Sequence, residues 1–347
     1  MNDINLKVII PLLTESGSPD SECYSPNVKK TAKNNLLHAL SMAELKLESV
    51  KDIKINLRTF KKKPRLLKRS PKSIESYELD NFLVFSLHGC VDYPGIIEAL
   101  KKAKVTIVNG QEFMDLAKYV INNAVSNSFK NLIDENLILS HLSTPGVISI
   151  RTGAIFIDGE FYEEYKGISS LISEAYRESL VKKYPPVKFT VGKNVLDQLK
   201  RNKISFKANP STPIEKALNC LSHVLNPSND ITEAMIYSVM GIETLYVTGN
   251  QNIQKQVDEN VQIFLGKLKE HKKIIKELYN FRSKLLHGEY PLKPYHMYRN
   301  WLIDGFDEID AKSYHAFTYS TMILVATLQK MILSDRTELI FRTELVN

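Results

Sequence analysis

Two capping boxes in tandem constrain this chain more than any other feature. Thr212 is followed by Pro213 and then by Glu215, and Asp230 is followed at the same spacing by Glu233. In such a box the first side chain bonds a backbone N–H inside the helix, and the acidic residue reaches back to the cap's own N–H, so the helix start is fixed locally. Proline is tolerated at the first helical position because its missing N–H would have no partner there. Behind Thr212, the residues Ile214, Ala217, Leu218, Leu221, Val224 and Leu225 form one apolar stripe. Behind Asp230, the residues Met235, Val239, Ile242 and Tyr246 form a second, which stops at Gly249-Asn250. A third helix runs from Asn252 through Ile253, Val257, Val261 and Phe264, breaks or kinks at Gly266 and continues from about Lys269. After a proline-containing loop, Asp307–Leu333 gives a last helix burying Phe317, Leu324, Leu328 and Met331. Short connections and one apolar face apiece predict an all-α bundle of four main helices over residues 205–347.

Residues 1–200 read as a mixed α+β domain. Strands are expected at Leu6–Leu13, Ile53–Phe60, Phe82–Leu87, Lys104–Val108, Val147–Arg151 and Ala154–Ile157. Asp158-Gly159 between two apolar runs signals a two-residue hairpin. Helical patterns occupy Lys29–Leu47, Tyr93–Lys102, Gln111–Ile133 and Ser169–Lys183, without a βαβ rhythm or a glycine-rich phosphate loop. The runs Lys183-Tyr184-Pro185-Pro186 and Asn209-Pro210-Ser211-Thr212-Pro213 bracket a domain junction placed near residue 200.

At 43% hydrophobic and 24% charged, the 347 residues have the balance of an ordinary globular protein. Cys23, Cys90 and Cys220 are odd in number and widely spaced, which excludes a disulfide framework and favours a reducing, cytoplasmic compartment. The start lacks a basic leader, and no apolar run of spanning length was expected, so no membrane association is expected. Neither a metal nor a cofactor is expected: His88-Gly89-Cys90-Val91-Asp92 offers metal-capable side chains but no second cluster, and reads as strand-end packing. Net charge is +7, a mild bias toward polyanions. It is uneven. Lys61, Lys62, Lys63, Arg65, Lys68, Arg69 and Lys72 put seven basic residues into twelve, with two prolines. That run is either a solvated loop or a phosphate-contacting arm whose binding weakens with salt.

The segment Leu278-Tyr279-Asn280-Phe281-Arg282-Ser283-Lys284-Leu285-Leu286-His287-Gly288 carries the chemistry. Ile274, Leu278, Phe281 and Leu285 recur at helical spacing, and Gly288 is the residue type that ends a helix in the left-handed conformation. His287 therefore belongs at the helix C-terminus, where the dipole favours an imidazolium. A proton-accepting ring beside a permanent guanidinium suits chemistry on a phosphodiester. Arg282 and His287 lie about 140° apart around an ideal helix, so one helix makes a lopsided pocket.

An aromatic approach, Arg282-Ser283, two apolar positions and His287-Gly288 resemble the signature of HEPN domains, most closely the Apea-like branch. Gly241-Ile242-Glu243-Thr244-Leu245 resembles that family's acidic residue on the preceding helix, and the resemblance covers roughly residues 205–335. It implies a dimeric, metal-independent endoribonuclease in which a ribose 2′-hydroxyl attacks its own phosphate and leaves a 2′,3′-cyclic end. In that scheme His287 moves protons and Arg282 clamps the non-bridging oxygens, while Ser283, Glu243 and Tyr279 support them and Lys284 contacts RNA. Where many HEPN proteins follow the arginine with Asn, Asp or His, this chain has Ser283. By analogy, such proteins are often microbial toxins or antiviral effectors held by an antitoxin or a trigger partner.

Downstream, Tyr290 to Trp301 interleaves aromatics with basic residues, and Tyr295, Tyr298 and Arg299 suit base stacking and backbone tracking of RNA. The same run also reads as a loop pinned by its aromatics. Two other functions stay open on the sequence: a non-catalytic RNA-binding or scaffolding protein, and an enzyme whose site lies in residues 1–200.

Overall fold

The computed structural model describes residues 2–14, 26–41, 50–60, 64–71, 82–102, 110–150, 152–169, 171–190, 192–268, 271–290 and 308–341. It divides into two compact units. The first takes in Met1–Ser18, Leu36–Leu137 and Ile148–Gly167; the second takes in Pro19–Asn35, Ile138–Val147 and Ile168–Asn347. The expected junction near residue 200 thus falls inside the second unit. Tyr184, in the run read as a junction, is 5% exposed and stacks on Tyr319 at 6.3 Å, so that proline-rich turn is packed within a unit.

The first unit is built on an antiparallel sheet. Its strands are β1 (Asn2–Thr14), β2 (Val50–Phe60), β3 (Phe82–Val91), β4 (Ile148–Ile150), β5 (Gly153–Ile157) and β6 (Glu160–Tyr165), in the order β2-β3-β1-β5-β6 with β4 on the far end of β1. Period-2 alternation decides which face is dry. Ile4, Leu6, Val8 and Ile10 of β1, and Leu83, Phe85 and Leu87 of β3, are all buried. Helix α1 (Pro26–Ser41), helix α2 (Tyr93–Lys102) and the long helix α3 (Gly110–Ser143) accompany the sheet in sequence. Phe129 of α3 meets Phe85 edge-on at 5.8 Å, which places this helix over the dry face. The α3–β6 contact is polar as well: the Tyr162 hydroxyl donates to Asn123 at 2.6 Å, the Tyr165 hydroxyl donates to Asp134 at 2.5 Å, and Lys130 pairs with Glu163 at 2.9 Å. Burial pushes the Asp134 carboxyl up to about 6.

The Asp158-Gly159 hairpin forms as expected, with both residues at positive φ (51° and 88°). At Gly153 the backbone of β1 comes so close that a Cβ would lie 2.5 Å from the Ile9 carbonyl, which excludes any other residue. Arg65–Arg69, inside the basic run expected to be a solvated loop or a phosphate-contacting arm, is a turn of 3-10 helix. Its Leu67 is fully buried against Ile9, Phe82, Val84, Ala154 and Phe156 and anchors the turn to the sheet. The expected strand Lys104–Val108 lies outside the described residues.

The second unit is helical: α4 (Leu171–Lys182), α5 (Gly192–Arg201), α6 (Pro213–Val224), α7 (Ile231–Tyr246), α8 (Ile253–Leu265), α9 (His271–Leu286) and α10 (Glu308–Leu333). Both capping boxes are complete, Thr212 with Glu215 and Asp230 with Glu233. Lys207 joins the first box, and its charge with the cap N–H groups draws Glu215 down to about 2. Gly266, at φ 107°, separates α8 from α9 where a break was expected. Helix α10 is the core element, buried on every face from Ala316 to Gln329. Helix α7 packs on it with a ladder of hydroxyls, Thr232 to Ser313 at 3.1 Å, Ser238 to Thr321 at 2.8 Å and Tyr246 to Thr327 at 2.7 Å. Gly241 permits the close approach, since a Cβ there would lie 2.9 Å from Leu324 Cδ1. Residues Ala311–Leu333 are long and apolar enough to cross a membrane, contrary to the expectation of no such run, but 89% of that window is buried inside the protein, as the centre of a helical core requires.

The end of α3 belongs to this unit. Gln329 donates to the Leu142 carbonyl at 3.0 Å and accepts from Lys188 N at 2.9 Å. His141 is 1% exposed; its Nδ1 accepts from Gly146 N at 3.1 Å and its Nε2 has no hydrogen-bond partner among the described residues.

Candidate functional site

The end of α9 is positioned by one apolar stripe. Ile275, Leu278, Phe281 and Leu285 are buried, while Ser283, Lys284 and His287 are exposed. The helix closes as its glycine predicts. Gly288 takes φ 71°, Gly288 N donates to Leu285 O at 3.2 Å and Glu289 N donates to Lys284 O at 2.8 Å, so the last carbonyls are satisfied. His287 sits just past the final turn, with its N–H on Ser283 O at 3.0 Å and its ring free of side-chain bonds among the described residues.

Arg282 turns the other way. Its Nη1 lies 3.3 Å from Glu243 Oε1 and its Nη2 donates to Glu243 Oε2 at 3.3 Å, a two-point pair between α9 and α7. The two side chains are 27% and 19% exposed, so the pair is largely shielded from water. The Tyr279 ring lies 5.9 Å from the Arg282 guanidinium carbon. Burial, and then the Glu243 charge, push the Tyr279 hydroxyl well up, so it stays protonated. Five buried side-chain polar atoms lack a directed hydrogen bond among the described residues, and three belong to this trio: Glu243 Oε1, Tyr279 Oη and Arg282 Nε. Two of the three still have company within the trio: Glu243 Oε1 is ion-paired with Arg282 Nη1 at 3.3 Å, and the Tyr279 hydroxyl lies against the Glu243 carboxylate.

The structure therefore brings Arg282, Glu243 and Tyr279 together, and leaves His287 and Ser283 outside that cluster. Lys284 lies on a third side, 4.0 Å from Glu289 and 5.7 Å from the Tyr290 ring. It borders a cavity of about 560 Å³ between α9 and α10, whose lining includes Ile274, Leu278, Phe281, His315 and Tyr319 but neither Arg282 nor His287. The sequence offered no sign of this cavity, because its two walls are separated by more than twenty residues.

Among the basic residues, Arg65 and Lys68 are exposed, while Arg69 donates to the Gly159 carbonyl at 2.8 Å and pairs with Glu160 at 3.0 Å. Lys61, Lys62, Lys63, Tyr295, Tyr298 and Arg299 lie outside the described residues. The His88 to Asp92 stretch finds local partners: His88 bonds the Asn5 side chain, the Cys90 thiol donates to Asp3 at 3.4 Å, and Asp92 accepts from Gly95 N at 3.2 Å. Among the described residues no three His, Cys, Asp or Glu side chains converge as a metal set.

No family model, curated protein or solved structure matches the chain.

Proposed function

We propose that the protein is a metal-independent endoribonuclease of HEPN type, in which the helical unit cuts RNA through Arg282 and His287. The observation that carries this reading is the Arg282–Glu243–Tyr279 cluster, a largely shielded guanidinium held at two points, five residues before an exposed histidine at a glycine-terminated helix end. Glu243 fixes the orientation of Arg282, and the neutral Tyr279 phenol keeps a donor beside it. A guanidinium held in place stabilises charge growing on the non-bridging oxygens without reorganising during the reaction. His287, open to solvent, takes the proton of the 2′-hydroxyl and returns one to the leaving 5′-oxygen.

Because Arg282 and His287 diverge around one helix, this chemistry requires two copies whose α9 helices face each other across a two-fold axis, doubling both groups in one cleft. A second reading has its own observation. Glu243 already neutralises Arg282, so the pair also serves as a structural bridge in a protein that binds RNA without cutting it.

One experiment separates them: total RNA incubated with the purified protein in chelator, with wild type, His287→Ala and Arg282→Ala compared and 2′,3′-cyclic ends counted. Cyclic ends from wild type that vanish in both folded variants support catalysis. Intact RNA with saturable binding supports the binding module, and full cleavage by both variants refutes the assignment.

A further inference from the structure

The face of the sheet opposite α3 has a second surface that the nuclease reading does not use. Register puts Lys54, Asn56 and Arg58 of β2 opposite His88, Ser86 and Val84 of β3, and puts Asn5 and Lys7 of β1 opposite His88 and Ser86. Period-2 alternation sends all of these to one face, away from the buried Leu83, Phe85 and Leu87. Lys7, Lys54, Asn56, Arg58 and His88 are exposed, and Phe60, next on that face of β2, is 40% exposed. Lys7, Lys54 and Arg58 form no ion pair among the described residues. Lys54 and Arg58 stand about 13 Å apart along the strand, and Lys7 is two strands over, about 10 Å away.

The 3-10 turn walls one side of this strip. Leu67 anchors it over Ile9, Val84 and Phe82, and its Arg65 and Lys68 face solvent. Acids border the strip without pairing its cations among the described residues: exposed Asp52 lies two residues before Lys54 on β2, and exposed Glu164 of β6 stands opposite Ala154, itself opposite Ile9. Asp3 lies at the far end of β1 on the Cys90 thiol, Asp158 accepts from Asn5 N at 3.0 Å, and Glu160 is taken by Arg69. Lysines on an edge strand deter strand-to-strand pairing, but that role explains neither Lys7 on the central strand nor an exposed phenylalanine in the same row.

We propose that this strip binds single-stranded RNA, with phosphates on Lys7, Lys54 and Arg58 and a base stacked on Phe60; the choice of RNA among polyanions rests on the function proposed above. Flat sheets with an exposed aromatic and flanking cations suit unpaired bases, whose π-faces are free to stack.

The test uses the full chain and fluorescent 2′-O-methyl oligouridine, which the proposed chemistry cannot cut because it lacks the attacking hydroxyl. The combined Lys7→Ala, Lys54→Ala and Arg58→Ala variant is expected to bind at least about tenfold more weakly, with a salt slope shallower by about two units. Phe60→Ala is expected to lose about tenfold with the slope unchanged. All four side chains are exposed, and circular dichroism checks that the variants fold. Unchanged affinity in the triple variant overturns the surface, as does polyglutamate competing as well as the RNA. Duplex RNA bound as tightly, with Phe60→Ala silent, overturns the single-strand assignment. Cleavage of unmodified RNA by His287→Ala is scored separately: loss of cleavage there with normal binding by the triple variant sinks this surface and leaves the nuclease standing, and the reverse result does the opposite.

Discussion

Acidifying the protein from pH 7 to pH 4 probes the buried histidine at the end of α3. Gly146 N–H points at His141 Nδ1, so the neutral ring carries its proton on Nε2, and a second proton would set two donors against each other. Burial reinforces this and holds the imidazole down from 6.5 to about 4. Between those values the unfolded chain binds the extra proton and the folded chain does not. Stability is therefore fully present above pH 6.5 and drains away as pH falls toward 4, by about 3 kcal/mol for about 2.5 units at 1.36 kcal/mol each. Asp134, two turns earlier on the same helix, has the opposite sign. Its folded value is raised from 3.8 to about 6, so it contributes about 3 kcal/mol of stability that appears on acidification through the same window. The two nearly cancel in the wild type, and single variants expose them. His141→Asn keeps an oxygen near the Nδ1 position and cannot titrate; its urea midpoint is expected to rise relative to its own pH 7 value as pH falls to 4. Asp134→Asn is expected to fall more steeply than wild type. Midpoints by circular dichroism at half-unit steps decide it, and curves for His141→Asn and wild type that run parallel from pH 7 to 4 would refute the burial argument.

Other perturbations follow from the packing. A double-mutant cycle on Arg282→Ala and Glu243→Gln in urea is expected to give a coupling of about 1 kcal/mol, and a coupling near zero would mean the two-point pair does not hold in solution. Gly241→Ala pushes a methyl against Leu324 and Cys220 and is expected to cost about 1–3 kcal/mol in thermal or chemical unfolding. Thr212→Ala removes the hydroxyl that accepts from Glu215 N and is expected to cost about 1 kcal/mol, with Thr212→Ser restoring most of it.

What could be read in advance was local. The capping boxes at Thr212 and Asp230, the Asp158-Gly159 hairpin and the glycine stops at Gly266 and Gly288 depend only on residues within a turn of one another, so spacing revealed them. Helix α5 escaped notice because Val195 and Leu199 are its only buried large apolar residues, too few to declare a period amid Lys193, Asp197 and Lys200. Helix α3 was expected to end at Ile133, since Asp134-Glu135-Asn136 interrupts the stripe, yet Leu137, Ile138 and Leu142 continue the buried face. The 3-10 turn was hidden in a run of charge, because only the fold reveals what Leu67 packs against. At the candidate site, the positions of Arg282, His287 and Glu243 came from the resemblance. That Arg282 and His287 diverge was already given by their separation of about 140° around the helix, whereas the meeting of Glu243 with Arg282 depends on how α7 packs on α9, which sequence spacing does not carry.

Helix α10 has one more consequence. A ribosome delivers this centrepiece after every other described element of the helical unit, so α4 to α9 must wait with their oily sides unsheltered until translation passes residue 333. A chain halted before residue 308 would leave those sides with nothing to close upon. Nascent copies of this protein should therefore depend on chaperone protection until residue 333 has emerged, and frameshifts just upstream of codon 308 should yield aggregates in place of a shortened but functional product.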